Sequence, residues 1–393
     1  MFAVLSSARK VLWRAIALMS ITWLAACQTA SVMGPAGGPT INPRAPVPVA
    51  LLVPRGSENS GDDALADSLE NAARLAISDL DGVAIDLRVY STAGNAAQAQ
   101  QAAQQAAGDG ARIILGPVYA ESANAVAVAM EPRNINVLSF SNNSTIAGGN
   151  LWVLGPTFQN TADRLVSYAR NQGKSRFVVA HSNNVSGQLG KQAIQQAVSA
   201  NGGTLVGAVS HDFSQEGVVN AVPQIVSSAR SGDADAVFMT ANSAGALPLL
   251  TQMLPEAGLG PDVTQYIGLT RWDIPPQTLD LPGVQGGWFA MPDPNKSAAF
   301  RSRYQAANGN TPHPIAGLAY DGIAAIGALV KTSGRDALSG SSLTQSAGFQ
   351  GTGGIFRLLP DGTNQRSMAI ATIRNKQVVV IDPASNTFGD AGS

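Results

Sequence analysis

The side chains best suited to bind a ligand stand in two short loops between residues 113 and 145. The chain there reads IILGPVYAESANAVAVAMEPRNINVLSFSNNST, two apolar strands with a helix between them and a polar loop after each strand. Ser141, Asn142 and Asn143 follow the second strand and offer hydrogen-bond donors and acceptors. Tyr119 stands in the first loop. In an open parallel α/β sheet, ligands bind at the carboxyl ends of the strands. The sequence therefore predicts that these loops form one lip of a ligand cleft.

Four further residues are candidates for the same cleft. Arg55, just past the first strand, and Arg271 could each pair with a carboxylate or phosphate. Ser186 and Asn242 follow later strands and could face the lip from a second lobe. Each candidate has a plainer alternative, because arginines also form structural ion pairs, Ser and Asn are ordinary turn residues, and a tyrosine such as Tyr119 can simply pack.

Several classes of function are disfavoured. Three isolated histidines, His181, His211 and His313, and the single Cys27 show no metal-ligand spacing, so no metal site is expected. The net charge of -1 and the absence of a basic run argue against nucleic acid. The chain has no GxSxG elbow, P-loop or GxGxxG after the first strand, so we expect neither an enzyme nor a bound cofactor.

The amino terminus resembles a bacterial lipoprotein signal. Basic residues within 9–14 precede the apolar run Ala15–Leu24, and the sequence LAAC follows and ends at Cys27. The resemblance implies that residues 1–26 are a signal peptide and that the thiol of Cys27 carries the lipid. A plain secretory peptide or an uncleaved membrane helix is the alternative. Gln28, in place of an aspartate, favours the outer membrane by similarity to enterobacterial lipoproteins.

The remaining chain predicts a tether followed by two lobes. Residues 27–48 are rich in proline and glycine and read as an extended spacer. From residue 49, short apolar strands alternate with helices, and 393 residues with 45 % hydrophobic content can bury two cores. Regular alternation of this kind implies right-handed crossovers and parallel sheets with helices on both faces. The expected fold class is α/β, with two doubly wound lobes.

Several motifs, in their order and spacing, resemble a type I periplasmic binding protein of the leucine-binding group. They are the first strand VALLVP, Gly116-Pro117 after the third strand, Ser139 within VLSFS, Ala319-Tyr320-Asp321, and GTGGIF before Pro360-Asp361-Gly362. The resemblance implies two lobes joined by three crossovers that close by hinge bending around a ligand. It assigns residues 49–154 plus 293–347 to lobe 1, residues 155–292 plus 348–382 to lobe 2, and residues 383–393 to a tail.

The same resemblance disfavours the usual ligand. In amino-acid binders of this group, an acidic residue of the second lobe pairs with the ammonium group. Near that place this chain carries Arg271, which cannot neutralise an ammonium. A small polar or anionic ligand is therefore expected in preference to a standard α-amino acid.

A narrower resemblance is to penicillin-binding protein activators, the LpoA-like lipoproteins. They place a domain of this fold behind a lipobox, and they lack an obvious transporter. The resemblance requires a short version without the helical-repeat domain of the enterobacterial protein. The favoured hypothesis is thus a non-catalytic, lipid-anchored periplasmic regulator that binds a peptidoglycan synthase. The alternatives are the substrate-binding component of an ABC permease and, least favoured, a cell-wall hydrolase.

Overall fold

The computed structural model describes residues 37–388. The predicted signal peptide, the lipidation of Cys27, the first part of the tether and the end of the tail lie outside these residues. No helix within the described part of the chain is both long and apolar enough to span a membrane.

The first sheet has five strands, all parallel, in the order β2-β1-β3-β4-β5. Its strands are β1 (Val47–Val53), β2 (Ile85–Ser91), β3 (Ile113–Leu115), β4 (Asn136–Ser139) and β5 (Leu151–Val153), and its helices are α1 (Asp62–Asp79), α2 (Ala96–Gly108) and α3 (Ala120–Met130). Successive side chains of β1 point to opposite faces, so Leu51 enters the core beneath α1 while Leu52 enters the core beneath α2 and α3. Burial on both faces explains why β1 is continuously apolar.

The second sheet has seven strands in the order β15-β14-β10-β9-β8-β6-β7. Its elements are α4 (Phe158–Asn171), β6 (Arg176–Ser182), α5 (Val185–Ala200), β7 (Thr204–His211), α6 (Gln215–Ser231), β8 (Ala236–Met239), α7 (Leu247–Glu256), β9 (Gln265–Gly268), β10 (Trp288–Met291), β14 (Ala369–Arg374) and β15 (Gln377–Asp382). The five strands from β6 to β10 are parallel, and β14 and β15 add an antiparallel edge. Helices cover both faces, which confirms the predicted doubly wound α/β architecture.

The chain passes three times between the two sheets. It leaves the first sheet after β5, and it returns after β10 through α8 (Pro294–Asn308), α9 (Gly317–Ser333) and the short α10 (Gly340–Leu343), which pack in the first core. It then forms a three-stranded sheet of β11 (Phe349–Gly351), β12 (Gly354–Leu358) and β13 (Asn364–Arg366) before crossing again to β14. These passages match the three crossovers that the family resemblance implied.

Packing differs from the predicted segment boundaries in two places. Residues 37–48 do not form a free tether over their described length, because Ile41 is buried in the first core and its N–H donates to the Arg335 carbonyl at 3.0 Å. The second difference lies after residue 347. Phe349, Phe356 and Leu358 pack in the core of the first lobe, so that core continues past the expected boundary.

Candidate ligand-binding cleft

The two loops predicted as one lip are hydrogen-bonded to each other. The Ser139 hydroxyl donates to the Pro117 carbonyl at 3.0 Å, and the Ser141 N–H donates back to the Ser139 hydroxyl at 3.1 Å. Gly116 lets the first loop pass close to β1, since its φ is +87° and a Cβ there would lie 2.3 Å from the Leu52 carbonyl oxygen. The lip is therefore a single unit built on the carboxyl ends of β3 and β4.

A cleft of about 870 Å³ lies between this lip and the second lobe. Its volume is in the range of small-molecule sites. The first lobe contributes its two loops and two apolar residues at the start of α9, and the second lobe contributes the first turn of α4 and one face of α5. The lining residues are Val118, Tyr119, Ala120, Phe140, Ser141, Asn142, Asn143, Ser144, Thr145, Ile315 and Leu318 on one side and Pro156, Phe158, Gln159, Val185, Ser186, Leu189, Gln192, Ala193 and Gln196 on the other.

Five of the eight predicted ligand-binding residues line this cleft. They are Tyr119, Ser141, Asn142, Asn143 and Ser186. Ser186 lies in the first turn of α5, whose amino end is fixed by Asn184, the side chain of which accepts from the Gly187 N–H at 2.7 Å. The contact of these five residues with a ligand stays a prediction.

The lip presents hydrogen-bond donors. Ser141 is 5 % exposed, and its hydroxyl oxygen accepts from the Asn143 N–H at 3.1 Å. Its own proton has no acceptor among the described residues and can be donated to a ligand. The Asn143 side-chain oxygen accepts from the Thr145 N–H and hydroxyl at 2.9 Å and 2.8 Å, which leaves its amide N–H groups for the cleft. A ligand that accepts hydrogen bonds, such as a carboxylate or carbonyl oxygen, fits this side.

Tyr119 contributes its ring to the cleft and its hydroxyl to the first lobe. That hydroxyl donates to the Asp62 carboxylate at 2.6 Å. Burial acts to raise the pKa of Asp62, but hydrogen bonds from Tyr119, Ser57 and Asn59 outweigh it and leave this pKa below its usual value. Burial, followed by the bond to Asp62, raises the pKa of Tyr119. The Tyr119 side chain is thus uncharged and is held in position in the cleft wall by its bond to Asp62.

The cleft wall carries no charged side chain among the described residues. On the second-lobe side, Asp163 lies one helical turn behind Gln159 on α4. The Gln159 amide Nε2 donates to the Asp163 carboxylate at 2.7 Å. Burial raises the pKa of Asp163, and the bond from Gln159 offsets part of the rise. No basic side chain of the described part pairs with Asp163.

The structure contradicts the predicted place of Arg55, Asn242 and Arg271, none of which lines the cleft. Arg55 pairs with Asp67 at 2.7 Å and Glu70 at 3.1 Å on α1, and the bond to Asp67 raises its pKa most.

Arg271 and Asn242 make local contacts within their own loops. Arg271 pairs with Asp273, its Nε donating at 2.8 Å. Asn242 is exposed, and its carbonyl accepts from the N–H groups of Gly245 and Leu247 in the turn that leads into α7. Both arginines thus form ion pairs, as the plainer alternative predicted.

Sequence reasoning missed most of the second-lobe wall. Leu189, Gln192 and Gln196 lie on one face of α5, and Gln159 lies in the first turn of α4. The spacing of 189, 192 and 196 is a helical i, i+3, i+7 pattern that could have marked the face. Its polar glutamines gave no reason to choose it over any solvent-exposed face.

A buried ion pair joins the elements at the crossovers. Arg366 of β13 lies 3.5 Å from Asp321 of α9, with side-chain exposures of 11 % and 1 %. The Arg366 Nε also donates to the Leu154 carbonyl at 3.0 Å, and the Thr352 N–H donates to Asp321 at 2.7 Å. Burial raises the pKa of Asp321 and lowers that of Arg366, and each charge offsets part of the shift in the other. This cluster fixes the first and third passages relative to α9.

Two doubly wound lobes with a cleft at the strand ends define a bilobal ligand-binding protein. The chain belongs to the periplasmic binding protein family, whose model matches residues 46–377. Membership implies a periplasmic protein that binds a ligand. None of the curated protein sequences matches this chain.

Solved structures of type I periplasmic binding proteins share the fold. A putative branched-chain amino acid ABC transporter protein from Rhodospirillum rubrum has a TM-score of 0.72 at 18 % identity, over 86 % of this chain and 100 % of that one. The leucine-binding protein LivK from Thermotoga maritima has a TM-score of 0.57 at 17 % identity, over 86 % and 99 %. A solute-binding protein from R. palustris in complex with benzoate has a TM-score of 0.57 at 16 % identity, over 87 % and 98 %. Identities this low establish the fold alone.

Proposed function

We propose that this protein is the substrate-binding component of an ABC transporter, a receptor that closes on a small solute in its inter-lobe cleft and delivers it to a permease. The observation that carries the proposal is the cleft itself. Ser141 and Asn143 have side-chain donors without a described protein acceptor and line a space between the lobes, which lies at the carboxyl ends of β3 and β4.

The comparisons favour this receptor over the penicillin-binding protein activator, which the sequence placed first. The R. rubrum and R. palustris proteins are both described as parts of ABC transporters. The two functions also make different demands on the cleft. A regulator that acts by binding a synthase needs no ligand between its lobes, whereas a receptor requires one.

Anchoring through a lipid on Cys27 remains part of the proposal. Gln28 favours the outer membrane by analogy, whereas a receptor must stay within reach of its permease. Fractionation of the native protein, with a Cys27→Ser variant as control, distinguishes the two membranes. Release of the variant to the soluble fraction supports the anchor, and an unchanged distribution contradicts it.

A thermal-shift screen tests the receptor proposal. The mature chain with Cys27 replaced by Ser is heated with amino acids, short peptides, aliphatic and aromatic carboxylates and muropeptides. A true ligand at 100 times its Kd stabilises the protein by about 2.7 kcal/mol, which is readily measured.

The matched variants are Ser141→Ala in the cleft and Arg55→Gln outside it. The proposal predicts that the first weakens the shift and the second does not. Absence of any shift, together with capture of a bifunctional penicillin-binding protein by the same chain, would replace the receptor by the activator.

A further inference from the structure

We propose that the ligand carries a neutral N–H donor, such as an amide, which binds Gln159, and a hydrogen-bond acceptor, such as a carboxylate, which binds the Ser141 lip. This inference rests on the proposed function and names the ligand class of the same cleft. The chemistry is that of an N-acylated amino acid or the carboxyl end of a short peptide.

The orientation of the Gln159 amide is the first step. Its Nε2 is turned toward Asp163 at 2.7 Å, on the next turn of the same helix. The amide oxygen Oε1 therefore points away from Asp163 and has no protein partner among the described residues. Gln159 thus presents an acceptor on a wall whose opposite lip presents donors.

Asp163 strengthens that acceptor. A carboxylate that receives a hydrogen bond from one end of an amide shifts electron density to the carbonyl oxygen at the other end. Asp163 is half-buried, and Gln159 is the one described side chain that hydrogen-bonds to it. Its effect on a ligand therefore passes through Gln159, which makes Asp163 a positioning residue.

The absence of charge on the wall selects a neutral donor over an ammonium group. An ammonium placed in the cleft would lose water and gain only amide and hydroxyl partners, since no carboxylate lines the cleft in the described part of the chain. Desolvation of an unpaired ion is far more costly than that of an amide N–H.

The length of the cleft accommodates more than one residue. Its second-lobe wall runs from Val185 to Gln196 on α5. At 1.5 Å per residue, these eleven steps cover about 16 Å, roughly the length of four or five extended residues. Leu189 of the second lobe and Ile315 and Leu318 of the first lobe form apolar surfaces against which an apolar side chain of the ligand can pack.

Calorimetric titration of the mature Cys27→Ser chain tests the inference with matched probes. N-acetyl-leucine supplies the amide N–H and the carboxylate. Its ester isostere replaces that N–H by oxygen, and free leucine replaces the amide by an ammonium group. Acetyl-alanyl-leucine presents the same amide N–H and carboxylate in a longer, peptide ligand. The N-acetyl and ester forms of phenylalanine, with free phenylalanine, repeat the comparison with a larger side chain.

The expected result is that the N-acetyl compound binds about tenfold more tightly than its ester isostere and than the free amino acid. Gln159→Ala removes that tenfold preference, so that the N-acetyl compound and its ester isostere bind the variant about equally. Asp163→Asn introduces an amide that can donate to the Gln159 oxygen as well as accept from its nitrogen, so the Gln159 amide is free to flip. This variant is expected to reduce the preference for the N-acetyl compound severalfold, whereas Asp163→Glu retains most of it. A merely structural role for Asp163 would weaken both probes equally, and that result overturns its assignment.

Failure of the inference is distinguishable from failure of the receptor proposal. Tighter binding of free leucine or phenylalanine than of its N-acetyl form overturns the ligand class and leaves the receptor intact. Binding of N-acetyl-leucine that is indifferent to Gln159→Ala overturns the role of Gln159. If none of these probes binds while another solute in the thermal screen does, the ligand class is wrong and the receptor stands. If nothing binds at all, both fail.

Discussion

Ser141 combines burial with an unused donor, which is the residue-level signature of a ligand contact. Its hydroxyl accepts one hydrogen bond, from the Asn143 N–H, while the hydroxyl proton has no acceptor among the described residues, and the residue lines the cleft. We therefore predict that Ser141→Ala lowers ligand affinity by about tenfold, the value of one hydrogen bond of roughly 1.4 kcal/mol. Calorimetry measures the affinity, with Arg55→Gln as the unaffected control. Equal losses in both variants would place the ligand elsewhere.

Asp163 gives a stability prediction in which the size of the effect depends on pH. Burial raises its pKa in the folded protein above the unfolded value, so protonation favours folding. The carboxylate therefore costs stability at neutral pH, and this cost is relieved as the pH falls toward and through its raised pKa. Asp163→Asn is expected to be more stable than wild type at pH 7, with a difference that shrinks toward pH 4. Urea midpoints at both values measure it, and a less stable variant at pH 7 contradicts the assignment.

The first-lobe residues of the site could be predicted because strand ends fix their place. Ser141, Asn142 and Asn143 directly follow β4, and parallel strands bring such loops together. Arg271 was predicted to face the cleft because its ion pair with Asp273, two residues later in the sequence, was not considered. The partners of Arg55 are twelve and fifteen residues away, on the next helix. That pairing depends on how α1 packs beside β1.

At the scale of elements, the amino end of α5 is held close to the end of β6. A Cβ on Gly187 would lie 2.1 Å from the Ser182 carbonyl oxygen, so only glycine lets the helix begin there. We predict that Gly187→Ala displaces the start of α5 and lowers both ligand affinity and the free energy of unfolding, the latter by about 1–3 kcal/mol. Gly202→Ala is the control in the same lobe, because it has open space around its Cβ position and tests the positive φ of +65° alone. A milder loss at Gly187 than at Gly202 would contradict the close approach.

The Asp321–Arg366 pair gives a second prediction at this scale. Removal of one partner leaves an uncompensated buried charge, which typically costs about 3–5 kcal/mol. Asp321→Ala is therefore expected to lower the free energy of unfolding by about 3 kcal/mol. The double variant with Arg366→Met should recover part of this loss, because no buried charge is left. Chemical denaturation of both variants measures it, and a single-variant loss below about 1 kcal/mol would contradict the pairing.

Most elements of the second lobe could be predicted, but its edges could not. The buried strands β6 and β8 are short apolar runs that the sequence marks clearly. The edge strand β15 is half-exposed along its length, and β13, in the separate three-stranded sheet that precedes β14, has only three residues, Asn364–Arg366. Such segments carry little hydrophobic pattern, since their pairing is decided by β14 and β12.

For the whole molecule, the order of elements along the chain was enough to predict two doubly wound lobes, and the family resemblance implied the three passages between them. The boundaries were less predictable. Residues 37–48 and 349–358 join the first core through contacts with distant segments, such as the bond from Ile41 to Arg335. Those contacts leave no periodic pattern in a proline-rich or glycine-rich stretch.

The central claim is that the two lobes close on a ligand in the cleft between them. Small-angle X-ray scattering of the mature chain, with and without a saturating ligand from the thermal screen, tests it most directly. We predict a decrease in the radius of gyration on ligand addition, and a higher ligand concentration for half the effect in Ser141→Ala. Binding that leaves the radius of gyration unchanged, or compaction that is indifferent to Ser141→Ala, would contradict the account.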